Sequence, residues 1–394
     1  MKSYDIIIIG GGLAGLPLAL CLAKQEKQVL CIDRDDPKTQ LKAEFDGRTI
    51  AISAGSARIM HEAGIWDELL KHACPINEIK IMDNGSHSLL DFLSEEVENQ
   101  SFGHIIENNI VRSTLFKAVE EAKNLTHLAP ASVQEFTQNK DHVDVVVEGQ
   151  EPISAKLLVG ADGRNSWVRE EAGIRTRGWP YNQRAVICTV QHENPHQHVA
   201  VEDFRPEGPF AILPMTDGPN GEHRSSLVWT EHGPKRRSIM NYDDARFDAA
   251  LNERFPDFYG EVKRLTPRQS FPLGLIHAER YTSKRVALVA DAAHGIHPIA
   301  GQGLNIGLRD VQKLSKLAGK VEDPGSPEIL ERYERSRRLD NMGMIFATDS
   351  LNKLFSNNIP PLRAARKLGL QAVSRLPIAK KFFMKQAMGL RNNE

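Results

Sequence analysis

The sequence predicts an α/β fold in which a parallel-sheet domain is interrupted by an antiparallel one and followed by a helical tail. Three observations predict it. The chain opens on four consecutive isoleucines that run directly into Gly10-Gly11-Gly12-Leu13-Ala14-Gly15. A second parallel-type strand, Arg285 to Ala290, returns near the far end and is again followed by a glycine loop and a helix. Between them, from Ala185 to about Pro272, short strand-like runs alternate with turns such as Asp217-Gly218-Pro219-Asn220-Gly221.

Ile6 to Ile9 read as a strand buried on both faces, as parallel sheets require. The glycine loop then opens a helix, Leu16 to Lys24. Gly10 permits the tight turn, Gly12 lets the backbone approach a pyrophosphate, and Gly15 lets helix and strand pack closely, with Leu13 and Ala14 completing the loop. The helix N-terminus offers free N–H groups and a positive dipole end to that anion. A second strand, Gln28 to Ile32, ends at Asp33 and Arg34, about 20 residues past the glycines, where a ribose-binding acid belongs. Strand, loop, helix, strand and acid in this order describe a Rossmann-like dinucleotide site.

Further along, Ser56 to Leu70 reads as one helix, ended by Cys74-Pro75. Ser113 reads as the N-cap of a helix over Thr114 to Lys123. Val143 to Glu148 alternates as a half-exposed strand and Lys156 to Gly160 reads as a buried one. Ala185 to Val190, Phe210 to Leu213 and Ser226 to Thr230 are the strands of the inserted sheet. A helix is expected from about Asn305 to Ala318, and the chain after about Glu328 reads as helical. The expected division is a nucleotide domain from 1–75, 100–184 and 272–330, a substrate domain from 76–99 and 185–271, and a helical region from 331–394.

Lys plus Arg number 50 against 51 Asp plus Glu, so no global field draws the chain to nucleic acid or membrane. Cys21, Cys31, Cys74 and Cys188 show no C-x-x-C spacing and read as reduced core residues. The chain enters its first strand at once, with Asp5 where a leader would need an apolar stretch, and no run approaches the roughly 20 apolar residues of a membrane span. The expectation is a cytoplasmic protein.

Three further segments carry the functional reading. Gly160-Ala161-Asp162-Gly163-Arg164-Asn165-Ser166 places an Asp-Gly turn at the end of a buried strand. Asp291-Ala292-Ala293-His294 follows another strand. His297-Pro298-Ile299-Ala300-Gly301-Gln302-Gly303-Leu304-Asn305-Ile306-Gly307-Leu308-Arg309-Asp310 is a glycine loop entering a helix. His294 and His297 have the spacing of a metal pair, but no third ligand stands nearby and no metal is expected.

With these segments the chain resembles the single-component, class A flavoprotein monooxygenases of the para-hydroxybenzoate hydroxylase fold, and within them the hydroxylases of ubiquinone biosynthesis. The resemblance runs from Tyr4 to about Ala318. Its most specific part is Asp291 to Asp310, joined by Asp46-Gly47-Arg48-Thr49-Ile50-Ala51-Ile52-Ser53 and Phe210-Ala211-Ile212-Leu213-Pro214. Ala290 departs from it, since the family usually has Gly before the Asp.

The resemblance implies FAD as cofactor, NAD(P)H as co-substrate, and oxygen transfer from O2 to an electron-rich aromatic ring through a flavin C4a-hydroperoxide. It implies that Asp33 binds the adenosine ribose and that Arg48 and Arg112 approach the ribose, diphosphate or flavin edge. Asp162 is implied in FAD and NAD(P)H contact, with Arg169 bracing its turn. Asp291 is implied at the ribityl or diphosphate part. Pro298, Gly301, Gln302, Gly303, Leu304 and Asn305 are implied around the flavin N1–C2 carbonyl, where a helix N-terminus stabilises the negative charge of reduced flavin. Phe210, Pro214 and Trp229 are the expected substrate-side wall.

The implied substrate is a prenylated phenol or benzoquinol, with a complex of ubiquinone-biosynthesis proteins as partner and no nucleic acid. A flavin hydroxylase of another aromatic compound, or a prenyl-type flavin reductase on the same fold, stays open. Between Leu351 and Glu394 the basic residues Lys353, Arg363, Arg366, Lys367, Arg375, Lys380, Lys381, Lys385 and Arg391 face only Glu394. Such a basic amphipathic tail suits either peripheral contact with the inner face of a membrane or packing on the protein.

Overall fold

A computed structural model describes residues 2–42, 47–85, 89–97, 100–233, 238–297, 299–355, 369, 373 and 375–390. Its first sheet has eight strands built around Lys2–Ile9, which pairs in parallel with Ile153–Gly160 on one side and Val29–Ile32 on the other. Leu125–Leu128 and Val286–Leu288 continue the parallel part outward. Ile6, Ile7 and Ile8 are wholly buried, as expected of β-branched residues covered on both faces. Helix Gly15–Ala23 covers one face with all nine residues buried. All four cysteines are buried and unpaired, and burial pushes the thiols of Cys21, Cys74 and Cys188 up to about 12.

Two helices differ from the sequence reading. Ser56 to Leu70 is two helices, Ala54–Ala63 and Trp66–Leu70, because Gly64 at φ 82 caps the first in a left-handed turn. The helix expected to start after Ser113 runs over Asn108–Glu121. Ser113 lies inside it and donates its hydroxyl back to the Ile110 carbonyl at 2.9 Å, a bond that lets serine sit within a helix.

The second sheet has nine strands and is antiparallel except where Val199–Arg205 meets Glu78–Asp83. Its central strand, Thr176–His192, pairs with Gln269–Ala278 and His223–His232, and therefore crosses position 184, where the sequence reading divided the chain. Gly208–Pro214 and then Val199–Arg205 follow outward. One face packs on helix Asp244–Arg254 through Val186, Cys188, Phe210, Ile212, Trp229, Phe247 and Leu251. A small sheet of Thr49–Ser53, Gly103–Glu107 and Cys74–Ile76 completes the strands.

Helices Gln302–Ala318 and Pro327–Phe355 pack beside the first sheet, and Pro377–Met388 closes the described chain. No helix among the described residues is long and apolar enough to cross a membrane.

Candidate active site

The glycine loop shows why each glycine stands where it does. Gly10 has φ +109, and a Cβ there would come 2.3 Å from the Ala161 carbonyl oxygen. A Cβ on Gly15 would come 1.8 Å from the Gly10 oxygen, so helix and strand could not approach. At Gly12 nothing lies within 4 Å, leaving open space beside the helix N-terminus. Leu13 is half-buried and Ala14 buried behind the loop. The Asp33 carboxylate accepts the Gly11 N–H, and its other oxygen takes the Asp35 N–H at 2.8 Å. Asp33 thus ties the loop to the end of the second strand while staying half-exposed.

The arginines divide. Arg34 extends into solvent with its side chain 85% exposed, 3.9 Å from Asp35. Arg112 leaves helix Asn108–Glu121 to donate to Gln40 at 2.9 Å. Arg48 precedes strand Thr49–Ser53, and its carbonyl accepts the Asn108 N–H at 3.0 Å. Asp162 serves its own turn: its carboxylate accepts the Ser166 hydroxyl at 2.6 Å and the Val168 N–H at 3.1 Å. Buried Arg169 donates to the carbonyls of Arg164 at 3.1 Å and Ala292 at 3.0 Å, joining that turn to the segment after Val286–Leu288.

That segment is held from behind. Ala290 adopts φ 52, the left-handed region that favours Gly. It is accommodated because Gly307 faces it: a Cβ on Gly307 would lie 2.6 Å from that of Ala290. The fully buried carboxylate of Asp310 accepts the Ala290 N–H at 3.0 Å. It also takes His294 Nε2 at 2.5 Å, Arg337 Nε at 2.7 Å and Asn341 Nδ2 at 3.1 Å. Burial alone would raise its pKa, but His294 and Arg337 hold it down at about 2. Neither this hub nor Arg337, far along the chain, was singled out by the sequence reading. His294 engages its Nε2 with Asp310.

Asp291 opens to solvent, and among the described residues no hydrogen bond reaches its carboxylate. Desolvation where it emerges from the protein raises its pKa, partly offset by His294 and Arg164. Gly301, at φ 63, caps helix Gln302–Ala318 without a side-chain acceptor, so the first N–H groups there have no cap. Asn305 fixes this loop: its amide accepts the Ser53 N–H at 2.9 Å and donates to the carbonyls of Ala51 at 2.9 Å and Gly301 at 2.8 Å. Gln302 is buried, and its amide donates to the Ala387 carbonyl at 3.4 Å. Leu304 is half-buried, and a Cβ at Gly303 would meet nothing within 4 Å. Pro298 lies outside the described residues.

Two cavities adjoin this loop. A larger one of about 420 Å³ is walled by Ile76, Ile79, Ile81, Phe92, Phe204 and Leu354, among others. A smaller one of about 170 Å³ carries Thr49, Val228, Thr230 and His297. Ala51, Glu202, Leu213, Ile299 and Gly301 border both, so the two are contiguous.

The expected substrate wall needs correction. Phe210 and Trp229 point to the opposite face of the sheet, in edge contact with each other over Phe247. Pro214 shares Phe210's side by strand alternation. Their neighbours Pro209, Ala211, Leu213 and Val228 line the cavities instead. A period of two makes a one-residue error in facing complete, and aromatic residues drew the reading to the wrong face. Glu202 is a polar cavity-lining side chain that the sequence reading did not name; His297, noted there only for its spacing from His294, lines the smaller cavity.

The open space at Gly12, the unpartnered Asp291 carboxylate and the uncapped helix at Gly301 are the features a dinucleotide with a flavin end requires, and the residues present fit FAD. Residues 3–346 match the family described as FAD binding domain. The chain is 42% identical to ubiquinone hydroxylase UbiL of Rhodospirillum rubrum, over 98% of this chain and 90% of that one. It is 35% identical to the 3-demethoxyubiquinol 3-hydroxylase of Escherichia coli, over 98% of each. Among solved structures, p-nitrophenol 4-monooxygenase PnpA of Pseudomonas putida shares the fold, with a TM-score of 0.81 at 18% identity over 100% of both chains.

Fold and site define an FAD-dependent aromatic monooxygenase. The chain belongs to the FAD binding domain family, in the branch that holds the hydroxylases of ubiquinone biosynthesis.

Proposed function

We propose that this enzyme hydroxylates the aromatic ring of a polyprenylated phenol or benzoquinol intermediate of ubiquinone biosynthesis, with NAD(P)H as reductant and O2 as oxygen source. The observation that carries the reading is the pair of joined cavities beside Gly301. The smaller, at about 170 Å³, is of the size that accepts one aromatic ring. The larger, walled by isoleucine, leucine and phenylalanine, suits an isoprenoid chain.

FAD, when bound, supplies the activation of oxygen. In this reading Gly10, Gly12, Leu13, Ala14 and Gly15 receive the diphosphate, Asp33 and Arg34 serve the adenosine ribose, and Arg48 and Arg112 approach the ribose, diphosphate or flavin edge. Asp291 holds cofactor hydroxyls, and the backbone of Gly301 to Asn305 faces the flavin ring. The parallel sheet holds the cofactor, and the antiparallel sheet supplies the substrate wall. Peripheral contact with a membrane, or docking in a complex of biosynthetic proteins, would bring the enzyme to a lipid-dissolved substrate.

The test is NAD(P)H oxidation and oxygen uptake on adding a geranyl-substituted phenol, with the product identified by mass spectrometry. A product heavier by one oxygen atom supports the reading. Reduction of a prenyl double bond, or no reaction beyond uncoupled oxidation, overturns it.

A further inference from the structure

Glu202 is anomalous. It lies in strand Val199–Arg205 between Ile81 and Ala211 of the flanking strands. Strand alternation turns Ala200, Glu202 and Phe204 toward the cavities, while Val199 and Val201 belong to the core on the other face, with Val201 also touching the larger cavity. Its side chain is only 9% exposed, it borders both cavities, and no hydrogen bond or ion pair reaches it among the described residues. Buried carboxyls without partners are costly, and an uncompensated one aimed into a ligand-sized space calls for a partner brought by the ligand.

The surrounding charges are spoken for. Asp203, next in the strand, pairs with Arg205 at 2.6 Å and turns away. Lys80 on the neighbouring strand pairs with Glu78 at 2.5 Å and reaches Asp91 at 3.8 Å. Gly208–Pro214 carries no titratable side chain. Across the smaller cavity stands His297, whose two ring nitrogens are both buried and unpartnered. Burial lowers its pKa to about 4, so it is neutral and brings no charge to Glu202.

Resting on the phenol-hydroxylase reading above, we propose that Glu202 is the base that takes the proton of the substrate's ring hydroxyl. The step breaks the substrate O–H bond, moves the proton to a carboxylate oxygen of Glu202, and leaves the electron pair on the ring oxygen. The resulting phenolate donates charge to the ring carbons that accept oxygen. The proton returns to the hydroxylated product, so Glu202 ends the cycle unchanged. Burial in this apolar wall, reinforced by the Asp203 carboxylate, pushes the Glu202 pKa up to about 8. That value lies close to working pH and toward the range of phenols, as an effective base requires.

The experiment uses the flavin-loaded enzyme, a geranyl-substituted 2-methoxyphenol and its O-methyl ether. Wild type should bind the phenol at least tenfold more tightly than the ether, and its kcat/KM should rise with pH up to about 8 and then level. Glu202→Gln matches the neutral carboxyl in shape and should keep flavin, fold and KM. Its kcat should fall by about 100-fold or more, and the rise with pH should vanish. Glu202→Leu should in addition lose the preference for phenol over ether, a binding readout independent of turnover. Wild-type kcat and pH profile in Glu202→Gln, or an unchanged phenol preference in Glu202→Leu, overturns the assignment. Failure of wild type to bind or hydroxylate the phenol overturns the phenol-hydroxylase reading itself.

Discussion

The carboxylate of Asp310 accepts the backbone N–H of Ala290 at 3.0 Å, twenty residues earlier in the chain. This bond holds the backbone where strand Val286–Leu288 gives way to the segment at Asp291. Ala290 stands at φ 52, a conformation that costs a residue with a Cβ about 1–2 kcal/mol. The helix carrying Asp310 holds it there, and Asp291 is thereby turned outward. One buried carboxylate aligns the end of a strand, the imidazole of His294 and the long helix through Arg337.

Asp310→Asn should therefore destabilise the fold by about 3–5 kcal/mol, the cost of leaving Arg337 buried without its counter-charge. The sign of the pH effect follows from the depressed pKa. A carboxyl held at about 2 in the folded state stabilises fully above its ordinary value near 4 and loses that contribution as pH falls through 2. Thermal melting between pH 5 and 2 should show a steep acid limb in wild type that is shallower in Asp310→Asn. Parallel limbs would refute the role.

Ala290→Gly should stabilise the protein by about 0.5–1 kcal/mol, since glycine adopts positive φ freely. In an ordinary helix the same exchange would cost that much. A lower melting temperature would show that the Ala290 methyl, packed against Gly307, contributes more than the backbone conformation costs.

Asp291→Ala should leave the melting of the flavin-free protein within about 0.5 kcal/mol of wild type, as expected for an exposed side chain without partners. Flavin affinity should drop tenfold or more, since a carboxylate hydrogen bond is worth about 1.5–3 kcal/mol. Fluorescence titration with FAD reads the second quantity and scanning calorimetry the first. A loss of stability with unchanged affinity would make Asp291 structural.

Gly12→Ala and Gly15→Ala should fail in different ways. At Gly15 the methyl would collide with the Gly10 oxygen, and overpacking of this kind costs about 1–3 kcal/mol or more. At Gly12 the methyl meets no protein atom, so the variant should fold normally and lose flavin. Equal melting temperatures in the two variants would contradict this division.

The nucleotide side of the site was legible because its signals are local. Four isoleucines, a glycine loop and an acid at fixed spacing each have one physical reading, and the structure keeps them within one β-α-β unit. Asp291 and the Gly301 to Asn305 loop were named by resemblance. What escaped depends on partners distant in sequence. Arg337 matters only because a long helix crosses Asp310, and Asn305 acts by tying Ser53 and Ala51 to its own loop. Glu202 carries no signal of its own in the sequence. Only the pairing of its strand between Ile81 and Ala211 turns it inward. Phe210 and Trp229 were placed on the wrong face because composition does not set the phase of a strand.

The last prediction concerns the helix Pro377–Met388. The sequence reading weighed a basic amphipathic tail against a packed helix, and 356–368, 370–372, 374 and 391–394 of that tail lie outside the described residues. The described helix has both characters. Met384 and Met388 are buried against the protein, and Lys380 meets Glu96 at 2.7 Å, so one face is docked. Ile378 is 88% exposed and Phe382 56% exposed on the other face, with Lys381 beside them. Phe383 and Ala387 also line the larger cavity, so this helix joins the outer surface to the space assigned to the isoprenoid chain. Exposed isoleucine and phenylalanine flanked by lysines are the elements that seat a helix at an anionic lipid surface. Exchanging Ile378→Asp together with Phe382→Asp should reduce co-sedimentation with phosphatidylglycerol vesicles several-fold. Raising salt should weaken the wild-type binding, because screening shortens the reach of the lysines. Turnover of a short-chain soluble phenol should stay within about twofold, since neither residue lines either of the two cavities beside Gly301. Unchanged sedimentation in the double variant would mean that the outward face of this helix serves a protein partner or none, and the membrane reading would fall.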